Sequence, residues 1–351
     1  MNTDKLPLLG KSLAELQAIA AAEGLPRFAG KQIAEWLYKK RVTRIDDMTN
    51  ISIANRERLK THYTVGRITP HAHAQSADGT RKYLFLTSIG QPVECVYLPM
   101  NDTDRTLCIS TQAGCKMGCR FCMTGKLGFH GHLTAADMLA QILHFPDLSN
   151  IVVMGEGEPM DNIDHLLRML SVMTSEWGCA WSPKRITVSS VGAPIHNLKR
   201  FLDESECHLA ISLHNPIAGE RAAIMPAQRL VTIDEVVELI RQYDWSHQRR
   251  ISFEYICWAG VNDDLRHADA LLRLTRGIEA RVNLIRFHES PATQAHATYT
   301  ADRTLFPASD EQRMVTFRDY LTAHGLTATI RKSRGEDILA ACGMLVNALQ
   351  E

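Results

Sequence analysis

Three of the nine cysteines fall within eight residues, in the run Gly114-Cys115-Lys116-Met117-Gly118-Cys119-Arg120-Phe121-Cys122. The spacing is C-x3-C-x2-C, with an aromatic residue just before the third cysteine. Three thiolates this close, flanked by glycine, can fold around one soft metal centre. Two centres fit. A zinc site needs a fourth ligand; no second C-x2-C or H-x3-H follows, although His130 and His132 lie nearby. A 4Fe-4S cluster held by three thiolates leaves one iron open for a small-molecule ligand. A second run, Gly155-Glu156-Gly157-Glu158-Pro159, follows an apolar stretch at 151–154. Glycine permits close backbone approach and a carboxylate pairs an ammonium, so this loop suits a ligand with an amino group.

These residues need strands and helices to position them. Strand-like runs occur at 107–111, 151–154, 186–190, 209–213, 251–256 and 282–287, with helical stretches between them. Thr134-Ala135-Ala136-Asp137 and Thr232-Ile233-Asp234-Glu235 open two of those helices with capping-box patterns. Six strands alternating with helices imply parallel βα units, hence an α/β barrel or an open doubly wound sheet. Either architecture puts function at the carboxyl ends of the strands. A strand pair at 82–86 and 93–98 precedes the alternation, and residues 1 to about 70 read as helical. A strand-like segment at 327–331 and an apolar helix close the chain.

Composition bounds the function classes. Lys plus Arg equals Asp plus Glu at 39 each, which excludes a globally basic coat but not a local patch. The first 70 residues hold twelve Lys and Arg against seven Asp and Glu. Together with Arg331-Lys332-Ser333-Arg334 they are the expected phosphate-facing patches. No apolar run of membrane-spanning length and no signal peptide is visible, and an odd cysteine count argues for reduced thiols. The expectation is a soluble cytoplasmic protein that does not engage a membrane. Cys207 and Cys257, inside apolar runs, read as core; Cys179 is uninformative.

The cysteine loop after a first strand, followed by Gly-Glu-Pro after the second, resembles the radical S-adenosylmethionine (SAM) superfamily. The match narrows at Thr106–Cys115, 210–214, Gly260-Val261-Asn262-Asp263 and 334–343, all of which resemble the RlmN family of adenine-methylating enzymes, whose close relative is Cfr. The resemblance runs from about Phe28 to Met344. There are two departures. Glu156 stands where the family usually has a second methionine, and Arg-Phe-His follows 282–285 where many members have Pro-Trp-Asn.

The resemblance implies an α/β fold: a partial (β/α)6 barrel over 81–330 with its preceding strand pair. A helical, RNA-contacting accessory domain occupies 1–80, and a tail over 331–351 carries the methyl carrier. It implies a [4Fe-4S] cluster on Cys115, Cys119 and Cys122, with SAM on the open iron. SAM contacts carry over to Gly157 and Glu158 for the amino acid part, to Ser189, Ser212, Leu213 and His214 for ribose and carboxylate, and to His288 for the adenine. Carbon 2 of adenine is electron-poor and cannot attack a methyl group itself, whereas a thiolate can. Cys342 is therefore the implied methyl carrier, Cys108 the resolving thiol, and Glu94 or Cys108 the proton acceptor. Substrates implied are 23S rRNA and, as a second candidate, tRNA; the reductant implied is an electron donor such as flavodoxin. The rivals are methylation of carbon 8, as in Cfr, and a zinc-stabilised RNA-binding module without catalysis.

Overall fold

The computed structural model describes residues 5–246, 249–288 and 307–345. The main sheet has ten strands: β3 (Pro70–Gln75), β4 (Arg81–Leu86), β5 (Pro92–Pro99), β6 (Arg105–Cys108), β9 (Asn150–Val153), β10 (Ile186–Ser190), β11 (His208–Ser212), β12 (Ile251–Cys257), β13 (Ala280–Arg286) and β14 (Thr327–Ile330). Their spatial order is β14-β13-β12-β11-β10-β9-β6-β5-β4-β3. From β6 to β14 every neighbouring pair is parallel, while β3 to β6 pair antiparallel. The six expected barrel strands are present, with β14 as a seventh beside β13.

Helices cross between the parallel strands because apolar residues recur on one face of each. In α9 (Ile233–Ile240), Ile233, Val236, Val237 and Ile240 are at most 1% exposed. Each such burial is worth about 1.5–3 kcal/mol. Both expected capping boxes form, Thr134 with Asp137 at α5 (Ala135–Leu143) and Thr232 with Glu235 at α9. A third, Ser12 with Glu15, opens α1 (Leu13–Ala22). Cys207 and Cys257 are buried as expected.

The amino-terminal segment is less purely helical than its pattern suggests. α1, α2 (Ala29–Ala34) and α3 (Ile53–His62) are joined by a short parallel pair, β1 (Leu6–Pro7) with β2 (Tyr63–Thr64). β3, which alternates Ala with His and Gln and so lacks an apolar signature, is an edge strand of the main sheet. Two basic side chains of this segment serve the interior: Arg41 and Arg67 donate to the carbonyls of Phe145 (2.8 Å) and Leu143 (2.7 Å), at and just beyond the carboxyl end of α5. Among the described residues no helix is long and apolar enough to cross a membrane.

Candidate active site

The cluster loop is a closed excursion. After β6, β7 (Gln112–Gly114) pairs antiparallel with β8 (Phe129–His132), and Cys115 N donates to Gly128 O at 2.8 Å. Gly114 has φ +71°, and a Cβ there would lie 1.8 Å from the Gly128 carbonyl oxygen, so only glycine closes the loop. Phe121, 8% exposed, is wedged between His214 (4.8 Å between ring centroids) and Trp258 (5.3 Å). That explains the aromatic residue before the third cysteine: it anchors the loop to β11 and β12. Arg120 N donates to Ile224 O at 2.9 Å, at the end of α8 (Ala218–Ile224).

Cys115, Cys119 and Cys122 all line one cavity of about 360 Å3 at the carboxyl ends of the parallel strands. Burial pushes the Cys115 thiol up to about 12 and raises Cys119 and Cys122, with the neighbouring thiols adding to the rise at Cys119. Three thiols lining one cavity suit a multi-iron cluster, in which each thiolate takes a different iron. His130 is exposed and bonds Leu127 O, His132 bonds Gln112, and neither lines the cavity. The donor set therefore fits the cluster rather than zinc.

The same cavity is lined by Gly157, Glu158, Ser189, Ser212, His214, His288, Cys108 and Cys342. Gly157 has φ +99° and passes so close to Gln112 that a Cβ would overlap its side chain at 2.5 Å. Glu158 accepts from Ser190 Oγ (2.6 Å), Val191 N (3.0 Å) and Met160 N (3.1 Å). A carboxylate has about four lone-pair sites, so one acceptor position remains for a ligand. Burial outweighs these bonds and lifts Glu158 to about 7. Ser189 and Ser212 face each other across β10 and β11 at 3.2 Å. His214 accepts from Ile256 N through Nδ1, and burial, then Arg221, lowers its pKa to about 3, so the ring is neutral.

Two expected residues do not reach the cavity. Leu213 is fully buried, because side chains alternate along β11 and Ser212 takes the inward face. Glu94 is also fully buried and pairs with Lys82 at 3.0 Å, beside Glu156, which accepts from the Glu94 amide at 2.8 Å. Burial, with the Glu94 charge adding to it, lifts Glu156 to about 8. His288 lines the cavity but turns to the tail, bonding Ser333 Oγ at 2.5 Å and Glu336 at 3.2 Å.

The tail is not the expected apolar helix in the part described, up to Leu345. Gly335, Leu339 and Gly343 have positive φ, which breaks the helix and leaves one short turn, Glu336–Ile338. This irregular path crosses the cavity. Met123 N donates to Gly343 O (2.8 Å) and Thr124 Oγ1 to Leu345 O (3.2 Å), while Val96, Ala340 and Leu345 form a small apolar cluster against which Cys108 packs. Cys342 is exposed to the cavity, and both Cys108 and Cys342 are free thiols. Burial pushes Cys108 up to about 12, with Cys342 adding to the rise.

Of the expected basic patch at 331–334, Lys332 is exposed at the cavity rim, while the two arginines are engaged within the fold. Arg331 points into the cavity and pairs with Glu254 at 3.3 Å, and Arg334 donates to Met100 O at 3.1 Å. Arg331, Glu254 and the buried Arg221 carry no motif that would single them out. Arg221 donates to the carbonyls of Leu213 (3.1 Å), Ser212 (3.1 Å) and Val191 (3.3 Å) and to Gln228 Oε1 (2.6 Å). One buried cation thus ties the ends of β10 and β11 together beside the cluster loop.

Comparison with known proteins agrees with this geometry. Residues 6–65 match the ribosomal RNA large subunit methyltransferase N-terminal domain, and residues 109–272 match the radical SAM superfamily. The chain is 52% identical to a probable dual-specificity RNA methyltransferase RlmN of Phocaeicola vulgatus, covering 100% of this chain and 98% of that one. It is 38% identical to a dual-specificity RNA methyltransferase RlmN of Solidesulfovibrio magneticus, over 96% and 95% of the two chains. The crystal structure of a radical SAM methyltransferase from Sphaerobacter thermophilus superposes with a TM-score of 0.87 at 36% identity, covering 97% of this chain and 99% of that one. With three thiols around one cavity at the strand ends and two further thiols facing it, the chain belongs to the RlmN family of radical SAM methyltransferases.

Proposed function

We propose that this protein methylates carbon 2 of an adenine in 23S rRNA, and of an adenine in tRNA as a second substrate, through a methyl group carried on Cys342. The observation that carries this reading is the common cavity: Cys108 and Cys342 line it together with Cys115, Cys119 and Cys122. When bound, the cluster and SAM supply a 5′-deoxyadenosyl radical. The chain's own residues do the rest. Cys115, Cys119 and Cys122 hold the cluster, and Glu158 offers its remaining acceptor position to the SAM ammonium. Ser189 and Ser212 present hydroxyls to the sugar, and the neutral His214 holds Phe121 and the loop.

The Cys342 sulfur takes the methyl group, one hydrogen of that methyl is lost to the radical, and the S-methylene carbon left on Cys342 then bonds the adenine ring. Cys108 attacks that sulfur to free the product, leaving a transient disulfide that an external thiol reduces. Of the two acceptors for the ring proton, Cys108 lines the cavity and Glu94 does not, so the geometry favours Cys108. Exposed Arg27, Lys31, Lys39, Lys40, Arg44 and Arg58 offer the amino-terminal segment's charge to RNA phosphates. An external electron donor such as flavodoxin completes the cycle.

The test uses Cys342→Ala and Cys108→Ala proteins expressed in cells that contain rRNA. Cys108→Ala should accumulate RNA attached to protein through Cys342 on denaturing gels, and Cys342→Ala should carry none. Equal absence in both, or full RNA methylation by Cys108→Ala, refutes the relay.

A further inference from the structure

We infer that Arg331 is a positioning residue for the methyl carrier, a cation that Glu254 aims at the Cys342 and Cys108 sulfurs to favour their thiolate forms. The inference rests on the reading of Cys342 as carrier. Arg331 follows directly after β14, so its position depends on the seventh strand of the sheet. Its Nη1 lies 3.3 Å from Glu254 Oε2 and 3.9 Å from Met154 Sδ, all three residues lining the cavity with both thiols. Glu254 is itself fixed, since its Oε1 accepts from Asn283 Nδ2 (2.8 Å) and Ser252 Oγ (3.0 Å). Asn283 in turn accepts from Thr329 Oγ1 at 2.9 Å. Strands β12, β13 and β14 thus converge on one guanidinium.

The surroundings of the thiols explain why such a cation is needed. Desolvation by the surrounding cavity walls raises both thiols; Arg331 opposes that rise at each, while Glu254 adds to it at Cys342 and Cys342 adds to it at Cys108. The other ionisable groups at the cavity wall are Glu158, His288, Lys332 and Arg334, besides the cluster thiols; Arg334 is turned to Met100 O and Lys332 is exposed, whereas Arg331 is held by Glu254. Methyl transfer requires the Cys342 thiol proton to leave to solvent. The sulfur–carbon bond then forms at Cys342 as the methyl–sulfonium bond breaks, and that electron pair stays on the departing thioether. A fixed cation beside the sulfur favours the first of these steps.

The experiment compares wild type, Arg331→Gln and Arg331→Lys, each reconstituted with its cluster under anaerobic conditions. Glutamine keeps a donor for Glu254 and removes the charge; lysine restores the charge. Two readouts are taken by peptide mass spectrometry: the rate of Cys342 methylation by SAM, and the pH profile of Cys342 alkylation by iodoacetamide. Cys179, which sits outside the cavity against Tyr38, reports on the fold. Arg331→Gln should slow both reactions by about tenfold at pH 8 and move the alkylation midpoint upward, the low end of what an adjacent opposite charge does. Arg331→Lys should recover most of the rate, and Cys179 labelling should stay constant. Wild-type rates and midpoint in Arg331→Gln overturn this inference alone. No methyl group on wild-type Cys342 overturns the carrier reading and this inference with it.

Discussion

Replacing Arg221 by Met should destabilise the fold by several kcal/mol, although the residue lies outside the cluster loop. Arg221 is fully buried and gives four hydrogen bonds, three of them to carbonyl oxygens at the ends of β10 and β11. Methionine fills similar space but donates nothing. Each buried acceptor left without a partner costs about 1–3 kcal/mol. Partial rearrangement of Gln228, which also accepts from Ile233 N, offsets some of this. Methionine also spares the cost of burying a guanidinium, and a net loss of about 3–5 kcal/mol follows from the orphaned acceptors. Set against a total of about 5–15 kcal/mol, that is a large share of the fold's stability. The assay is urea unfolding, with the midpoint shift converted through the measured slope, alongside iron content per chain. Arg221→Lys should recover less than half, because one ammonium cannot span the four acceptors that the guanidinium fork reaches. A loss under about 1 kcal/mol for Arg221→Met, no more than a single unpaired acceptor costs, contradicts this role for Arg221.

Other expectations follow from particular contacts. Cys115→Ala, Cys119→Ala and Cys122→Ala should each lose iron and the broad cluster absorption; retention of that absorption in all three contradicts the assignment. Gly114→Ala should do the same without removing a ligand, because its Cβ meets Gly128 O at 1.8 Å; iron analysis reads it. Glu156 binds its proton up to about pH 8 in the fold but only to about 4.5 when unfolded. Between those values the native state holds the extra proton, so stability falls as pH rises. Glu156→Met should flatten that part of a thermal-unfolding profile measured between pH 5 and 8, and an unchanged slope contradicts the role given to Glu156.

Much of the site was legible because its signal is local. The three cluster cysteines and the Gly157-Glu158 turn are set by spacing and by the βα rhythm, the strand-end serines come from the family resemblance, and the structure brings all of them to one cavity. What the sequence hides is non-local or depends on which face a residue takes. Leu213 follows Ser212 in the same motif, yet strand alternation sends its side chain into the core. Glu94 lies one residue before Cys95 in an apolar run, and nothing local says that Lys82 and Glu156 enclose it. Arg331 reads as one more surface cation until β14 is seen to pair with β13 and aim it at Glu254. The tail reads as a helix from its apolar residues, but Gly335 and Gly343 take positive φ and the chain crosses the cavity instead.

Transfer of a methyl group to carbon 2 of adenine can be read directly by nucleoside mass spectrometry. The protein, reconstituted anaerobically with its cluster, is incubated with SAM, a reductant and a fragment of 23S rRNA, and the RNA is digested to nucleosides. The wild type should yield 2-methyladenosine, and the Cys342→Ala protein none. Appearance of 8-methyladenosine in place of the 2-methyl isomer, or of 2-methyladenosine with the Cys342→Ala protein, contradicts carbon-2 transfer through Cys342.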